Sequence, residues 1–207
     1  MADAFHSARL TYRAIEDNEQ DTAFIHSLRL DSTSRANTET RIFKPVDEAS
    51  SAKSAARNRD ECLIGVLICT SANEMPGGLT VGLINLHPGL KEGLEQHRNA
   101  DIGIIIAAKY QGKGYGSEAI KWIVGWAFKF GGLHRVGISC YSHNLGARRL
   151  YERLGFEYEG AKRECLWFDG AWRDELTFST LENEWRKIVQ EESSSRLLLS
   201  GAKDGNE

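Results

Sequence analysis

No stretch of the 207 residues joins a basic segment to an apolar one in the manner of a secretory leader, and no apolar run approaches the length of a membrane span. Charge of one sign is scarce in excess. The formal net charge is −3, which argues against broad nucleic-acid or membrane-surface binding, a local basic patch aside. There is no internal repeat. Cys62, Cys69, Cys140 and Cys165 are scattered, and none stands beside a histidine at zinc spacing. Three of them sit in apolar runs, where a reduced cysteine packs as a small hydrophobe. These absences lead us to expect a cytoplasmic protein with no metal, no nucleic-acid partner and no membrane partner.

What is present describes one soluble domain. Hydrophobic residues make up 41% and charged residues 27%, and the chain is long enough for one well-buried core. Residues 8–15 alternate as a half-buried strand does, and residues 21–30 put Phe24, Ile25 and Leu28 on one helical face. Residues 31–60 are polar, with a short helix expected at 47–57. A connection this long serves either as a lid or binding loop or as a surface insertion. Residues 62–70 and 80–86 read as strands of an antiparallel hairpin joined through Pro76-Gly77-Gly78. Residues 87–100 read as a loop and 101–108 as a strand. From Gly114 the period becomes helical, with Ala119, Ile120, Ile123, Val124, Ala127 and Phe128 on one face and Gly131-Gly132 as the stop. A strand at 134–141 follows, then a short helix at 146–154 with Asn144 as its cap. A final hairpin turns at Asp169-Gly170, residues 182–191 form a helix, and residues 193–207 are expected to be disordered.

The chemistry concentrates in residues 101–156. A β-branched strand runs into Gln111-Gly112-Lys113-Gly114-Tyr115-Gly116 and then into a helix. Backbone amides and a helix N-terminus at the end of a strand bind anions, most often phosphate. A P-loop requires Ser or Thr directly after Gly-Lys, and here Gly112-Lys113 runs on into Gly114-Tyr115 instead. The dinucleotide fingerprint fails because Gly116 arrives one residue early after Gly112 and Gly114.

The pattern Gln111-x-x-Gly114-x-Gly116 resembles the pyrophosphate loop of the GNAT superfamily of acetyl-CoA-dependent N-acetyltransferases. Asn144-x-x-Ala147-x-x-Leu150-Tyr151-Glu152-Arg153-Leu154-Gly155-Phe156 is similar to the next helix and turn of that superfamily. The Gly170-x-Trp172-x-Asp174 hairpin is similar to branches that acetylate protein N-termini, the ribosomal-protein type among them, or small amines. The resemblance implies an α/β fold over residues 8–185. Its sheet would be mixed, mostly antiparallel and six- to seven-stranded, flanked by helices and splayed at the cofactor strand. It implies acetyl-CoA as co-substrate, with no metal, and leaves a homodimer open. The cofactor-binding residues it implies are the backbone of Ile105, Ile106 and Ala107, the turn Gln111, Gly112, Lys113, Gly114, Tyr115, Gly116 and Ser117, and Asn144 and Ala147. The family often has serine at Ala147, so a hydroxyl contact is missing there.

Aminolysis of a thioester needs a neutral amine, a stabilised oxyanion and a protonated leaving thiolate. The resemblance implies Tyr151 as the acid toward sulfur. The general base is not fixed by sequence: Asp101 starts the strand where many relatives carry Glu, and its shorter side chain would work through a water, or the base lies elsewhere. His87 and His134 are weaker base candidates. Cys140, without a placed histidine, reads as core, so direct transfer in a ternary complex is expected. The acceptor is a small-molecule or peptide amine. A CoA-holding module without turnover is the alternative.

Overall fold

The computed structural model describes residues 4–38, 42–89 and 95–201, with side chains to residue 194. A seven-stranded sheet runs through it in the order β1-β2-β3-β4-β5-β7-β6. Its strands are β1 (Leu10–Ala14), β2 (Ile64–Thr70), β3 (Thr80–Pro88), β4 (Asn99–Ile106), β5 (Arg135–Tyr141), β6 (Glu157–Phe168) and β7 (Ala171–Leu181). Every neighbouring pair is antiparallel except β4 and β5. The mixed, mostly antiparallel α/β sheet is as expected.

The strand alternation sends residues to two cores. On one face Ile102, Ile104 and Ile106 meet α4 (Tyr115–Lys129), α5 (Leu145–Arg153) and α6 (Glu182–Gly201). The apolar stripe of α4 is the centre of that core: Ala119, Ile120, Ile123, Val124 and Ala127 are wholly buried. Burial of each large aliphatic side chain contributes about 1.5–3 kcal/mol. On the other face Leu67, Leu83 and Ile105 meet α1 (Glu19–Leu30) and α3 (Glu48–Asp60). Asn18 and Asp47 cap these two helices by accepting from the amides of Asp21 and Ser50. Gly65 lets α3 lie against β2, because a Cβ there would overlap the carbonyl of Asn58.

Several boundaries differ from expectation. The polar connection holds two helices: α2 (Ser32–Thr38) precedes α3, and residues 39–41 between them lie outside the described residues. Part of the expected loop at 87–100 is strand, since β3 reaches Pro88 and β4 begins at Asn99; residues 90–94 are outside the description. Only Gly132 of the Gly131-Gly132 stop takes a left-handed conformation, with φ 62°. The Asp169-Gly170 turn has positive φ at both residues, 49° and 71°, which suits the twist of a two-residue hairpin. α6 runs on to Gly201, so the first part of the segment expected to be disordered is helical. No glycine or proline interrupts it before that point. Residues 202–207 lie outside the description. Among the described residues no helix is long and apolar enough to cross a membrane.

Candidate active site

β4 and β5 part company. They pair only at Asn99↔Arg135, Ala100↔Val136 and Asp101↔Gly137, after which β5 follows β7 along its whole length. The β3–β4 ladder uses the odd-numbered residues of β4, since Ala107 N–H donates to Val81 O and Gly89 N–H donates to Asn99 O. By alternation, the even residues Ile102, Ile104 and Ile106 turn their amides and carbonyls toward the gap. The expected backbone set of Ile105, Ile106 and Ala107 therefore shifts in register: Ile106 faces the gap, while the amide of Ala107 is spent on β3. Gln111 Nε2 donates to Ile106 O at 2.8 Å, closing the lower end of the strand.

A cleft of ≈ 1220 Å³ occupies this gap. The glycine turn forms one end of it. Gly112 and Gly114 adopt φ 73° and 83°, a region that favours glycine. Gly114 caps α4 without any side-chain bond, so the first amides of the helix have no intrahelical partner. The turn is braced from behind. Arg9 donates to Lys113 O at 3.1 Å and to Glu118 Oε2 at 2.9 Å, and its guanidinium lies 5.0 Å from the Tyr115 ring centroid. Burial alone would raise the Glu118 carboxyl, but bonds from Ser7 and from Arg9 hold it below its usual value. Tyr115 is buried and donates its hydroxyl to Glu74, so its side chain supports the turn.

Most of the expected site residues line one cleft: Ile105, Ile106, Gln111, Gly112, Gly114, Tyr115, Gly116, Ser117, Asn144, Ala147 and Tyr151. Lys113 is exposed, with its ammonium 5.5 Å from the Tyr110 ring centroid, and neither it nor Ala107 is part of that wall. Asn144 Oδ1 accepts from Ala147 N at 3.1 Å, capping α5. Two turns on, Tyr151 is packed against Phe156 and Phe178. Burial, then the neighbouring Cys140, pushes its phenol well above the ordinary range. Cys140 also faces the cleft, and burial pushes its thiol up to about 11, far from a neutral-pH nucleophile.

Asp101 is elsewhere. It sits at the paired end of β4, 3.9 Å from Arg135 Nη1, and does not line the cleft. Gly137 leaves room for its carboxylate, which a Cβ there would overlap. His134 is exposed and outside the cleft; His87 is exposed on its wall. The carboxylate inside the cleft beside β5 is Glu175, which accepts from Ser139 Oγ at 3.2 Å. Sequence reading passed over Glu175 and Ser139, and it named no individual site residue of α1, α2 or α3, although it offered residues 31–60 as a lid or binding loop. It also passed over Arg153, which lines the cleft and donates to Ser117 Oγ at 3.4 Å. Arg153 was legible as a cation two residues after Tyr151; Glu175 carried no signal beyond strand alternation.

The geometry matches a known family. The profile described as "Acetyltransferase (GNAT) domain" matches residues 9–157. A Bacillus subtilis protein named uncharacterized N-acetyltransferase YnaD is 35% identical over 85 residues, 41% of this chain and 50% of its own. The [Ribosomal protein uS5]-alanine N-acetyltransferase of Escherichia coli is 33% identical over 84 residues, 41% of this chain and 43% of its own. The chain thus spans about half the length of the curated relatives it matches. The solved structure of spermidine N-acetyltransferase from Vibrio cholerae in complex with CoA and spermine has a TM-score of 0.71 at 24% identity. That match covers 86% of this chain and 99% of that one, and at such identity it speaks for the fold.

Proposed function

The chain belongs to the GNAT acetyltransferase family, and from that premise we propose that it transfers an acetyl group from acetyl-CoA to a primary amine by direct attack within the cleft. The observation that carries this reading is the gap between β4 and β5 ending on an uncapped glycine turn. The fit to acetyl-CoA is good in kind. Amides of residues 112–117 suit a pyrophosphate, with Arg153 and Lys113 supplying positive charge nearby. The gap-facing groups of Ile104 and the amide of Ile106 suit the peptide-like pantetheine arm, and Asn144 stands across from them on α5. Acetyl-CoA supplies an acyl carbon activated by its thioester.

The remaining work falls to side chains. The amine nitrogen forms a bond to the acyl carbon, the carbon–sulfur bond breaks, and CoA leaves as the thiol. Tyr151 gives the proton to sulfur, for which a phenol that stays protonated is suited. Glu175 takes the proton from the amine, being the carboxylate of the cleft wall that stands beside β5 and Tyr141. Asp101, at the paired end of β4, reaches the amine only through water. Direct transfer is favoured because the buried Cys140 thiol holds its proton.

The relatives support an amine as the acceptor class, one named for an alanine of a ribosomal protein and the fold neighbour solved with spermine. The test is to incubate pure protein with acetyl-CoA and a panel of amines while following free thiol and the mass of the amine. Amine-dependent thiol release with a mass gain of one acetyl group is expected. Binding of acetyl-CoA with no thiol release for any amine would leave a silent CoA-binding module instead.

A further inference from the structure

The acceptor half of the cleft is basic. α1, α2 and α3 contribute Arg29, Arg35 and Arg57 to its wall, against the carboxylates of Glu61 and Glu175. A polyamine, with several cations, meets repulsion there. Two polar groups of α2 on this wall lack partners among the described residues. Ser34 is 3% exposed, and its Oγ has no hydrogen-bond partner. Arg35 follows it. Its guanidinium is held by Nη2 donating to Lys44 O at 2.9 Å and by the Phe43 ring, 3.8 Å away at the centroid. Its Nε is buried and also unpartnered. Buried donors are nearly always satisfied, and a fixed guanidinium on the same cleft wall as an unpartnered hydroxyl suits a carboxylate.

We propose that Ser34 and Arg35 hold an anionic group carried by the acceptor, so that the substrate is an amino carboxylate rather than a polyamine. The inference rests on the acetyl-transfer reading above. It assigns the two ends of the acceptor: the amine lies toward Glu175 and the carboxylate against α2. The carboxylate comes either from a free amino acid or from an acidic side chain near a peptide N-terminus.

Pairs of acceptors that differ only in that charge test it. One arm compares lysine with pentane-1,5-diamine and phenylalanine with 2-phenylethylamine. The other compares the peptide amides Ala-Glu-Ala and Ala-Gln-Ala. Thiol release at saturating acetyl-CoA gives kcat and KM for each, and the arm that responds names the source of the carboxylate. The charged member is expected to have the higher kcat/KM by about tenfold or more, mainly through KM. Arg35→Met keeps the apolar stem over Phe43 and should erase the difference within each pair. Ser34→Ala should reduce it by about threefold, with thermal melting as the check that both variants fold. Equal kcat/KM within every pair, or spermidine as the best acceptor, overturns the anion site and leaves acetyl transfer standing. Acetyl-CoA binding without thiol release for any amine removes both readings at once.

Discussion

Replacing Tyr151 with phenylalanine removes one oxygen and leaves the ring. That ring is 6% exposed, with centroids 6.3 Å from Phe156 and 5.7 Å from Phe178. Since these contacts survive the change, stability should move by no more than about 1 kcal/mol, or roughly 2–4 °C in Tm. The catalytic effect should be much larger. Burial keeps the phenol protonated well past neutral pH, so under the proposed mechanism the departing sulfur would meet a donor that carries its proton. Loss of a positioned general acid typically costs about 10²-fold, which is about 2.7 kcal/mol at 1.36 kcal/mol per decade. Steady-state thiol release with saturating amine, run beside a thermal melt, separates the two quantities. We expect kcat to fall about 100-fold with the KM for acetyl-CoA within about threefold. Tyr151→Ala is the contrast, because it also removes the ring and should cost about 3–5 kcal/mol of stability. An unchanged kcat in Tyr151→Phe would remove the hydroxyl from the mechanism. A fall in kcat matched by a collapse of Tm would make the residue a packing element instead.

Three further outcomes follow from other parts of the molecule. Gly114→Ala puts a Cβ on a residue with φ 83° and 3.1 Å from Arg9 Nη2; the strain is about 1–2 kcal/mol, and the KM for acetyl-CoA should rise about tenfold with kcat nearly kept, as steady-state kinetics would register. Glu175→Gln should lower kcat by about 10- to 100-fold without changing the melting temperature, and a kcat within twofold of wild type would return the base role to another group. Asp21 is 1% exposed, accepts from Arg13 at 2.7 and 2.6 Å, and is held below the usual carboxylate range chiefly by those bonds. A carboxyl lowered on folding stabilises above its unfolded pKa of about 3.9 and loses that contribution as pH falls through the folded value. Asp21→Asn should therefore cost about 2–3 kcal/mol at pH 7 and flatten the acid limb of stability against pH in denaturant titrations.

The fold was legible where local chemistry and tertiary structure agree. The 3.6-residue period of α4, the Asn144 cap and the Asp169-Gly170 turn each carry their geometry in the residues themselves. α2 was not legible, because Ser32-Thr33-Ser34-Arg35-Ala36-Asn37-Thr38 is poor in helix formers, and the helix closes on tertiary contacts such as His143 Nε2–H donating to Ala36 O. β6 was hard to bound for another reason. Its residues are mostly exposed, and it is bulged at two places, with Glu164 at φ 49°, so no clean period survives. At the site, the glycine turn announces itself because φ values of 73° and 83° strongly favour glycine. Glu175, Ser34 and Arg35 look like ordinary surface residues until the sheet and α2 bring them to one cleft. Even the cofactor strand needed its register: a one-residue shift decides which amides of β4 face the gap and which are spent on β3.

That register, together with the uncapped turn, makes hydrogen exchange with and without acetyl-CoA the most direct measurement. The account predicts that acetyl-CoA slows exchange of the amides at residues 112–117 and at Ile104 and Ile106, and leaves the β3-bonded amide of Ala107 unaltered. Binding with no protection in the turn, or with protection confined to another part of the chain, would contradict it.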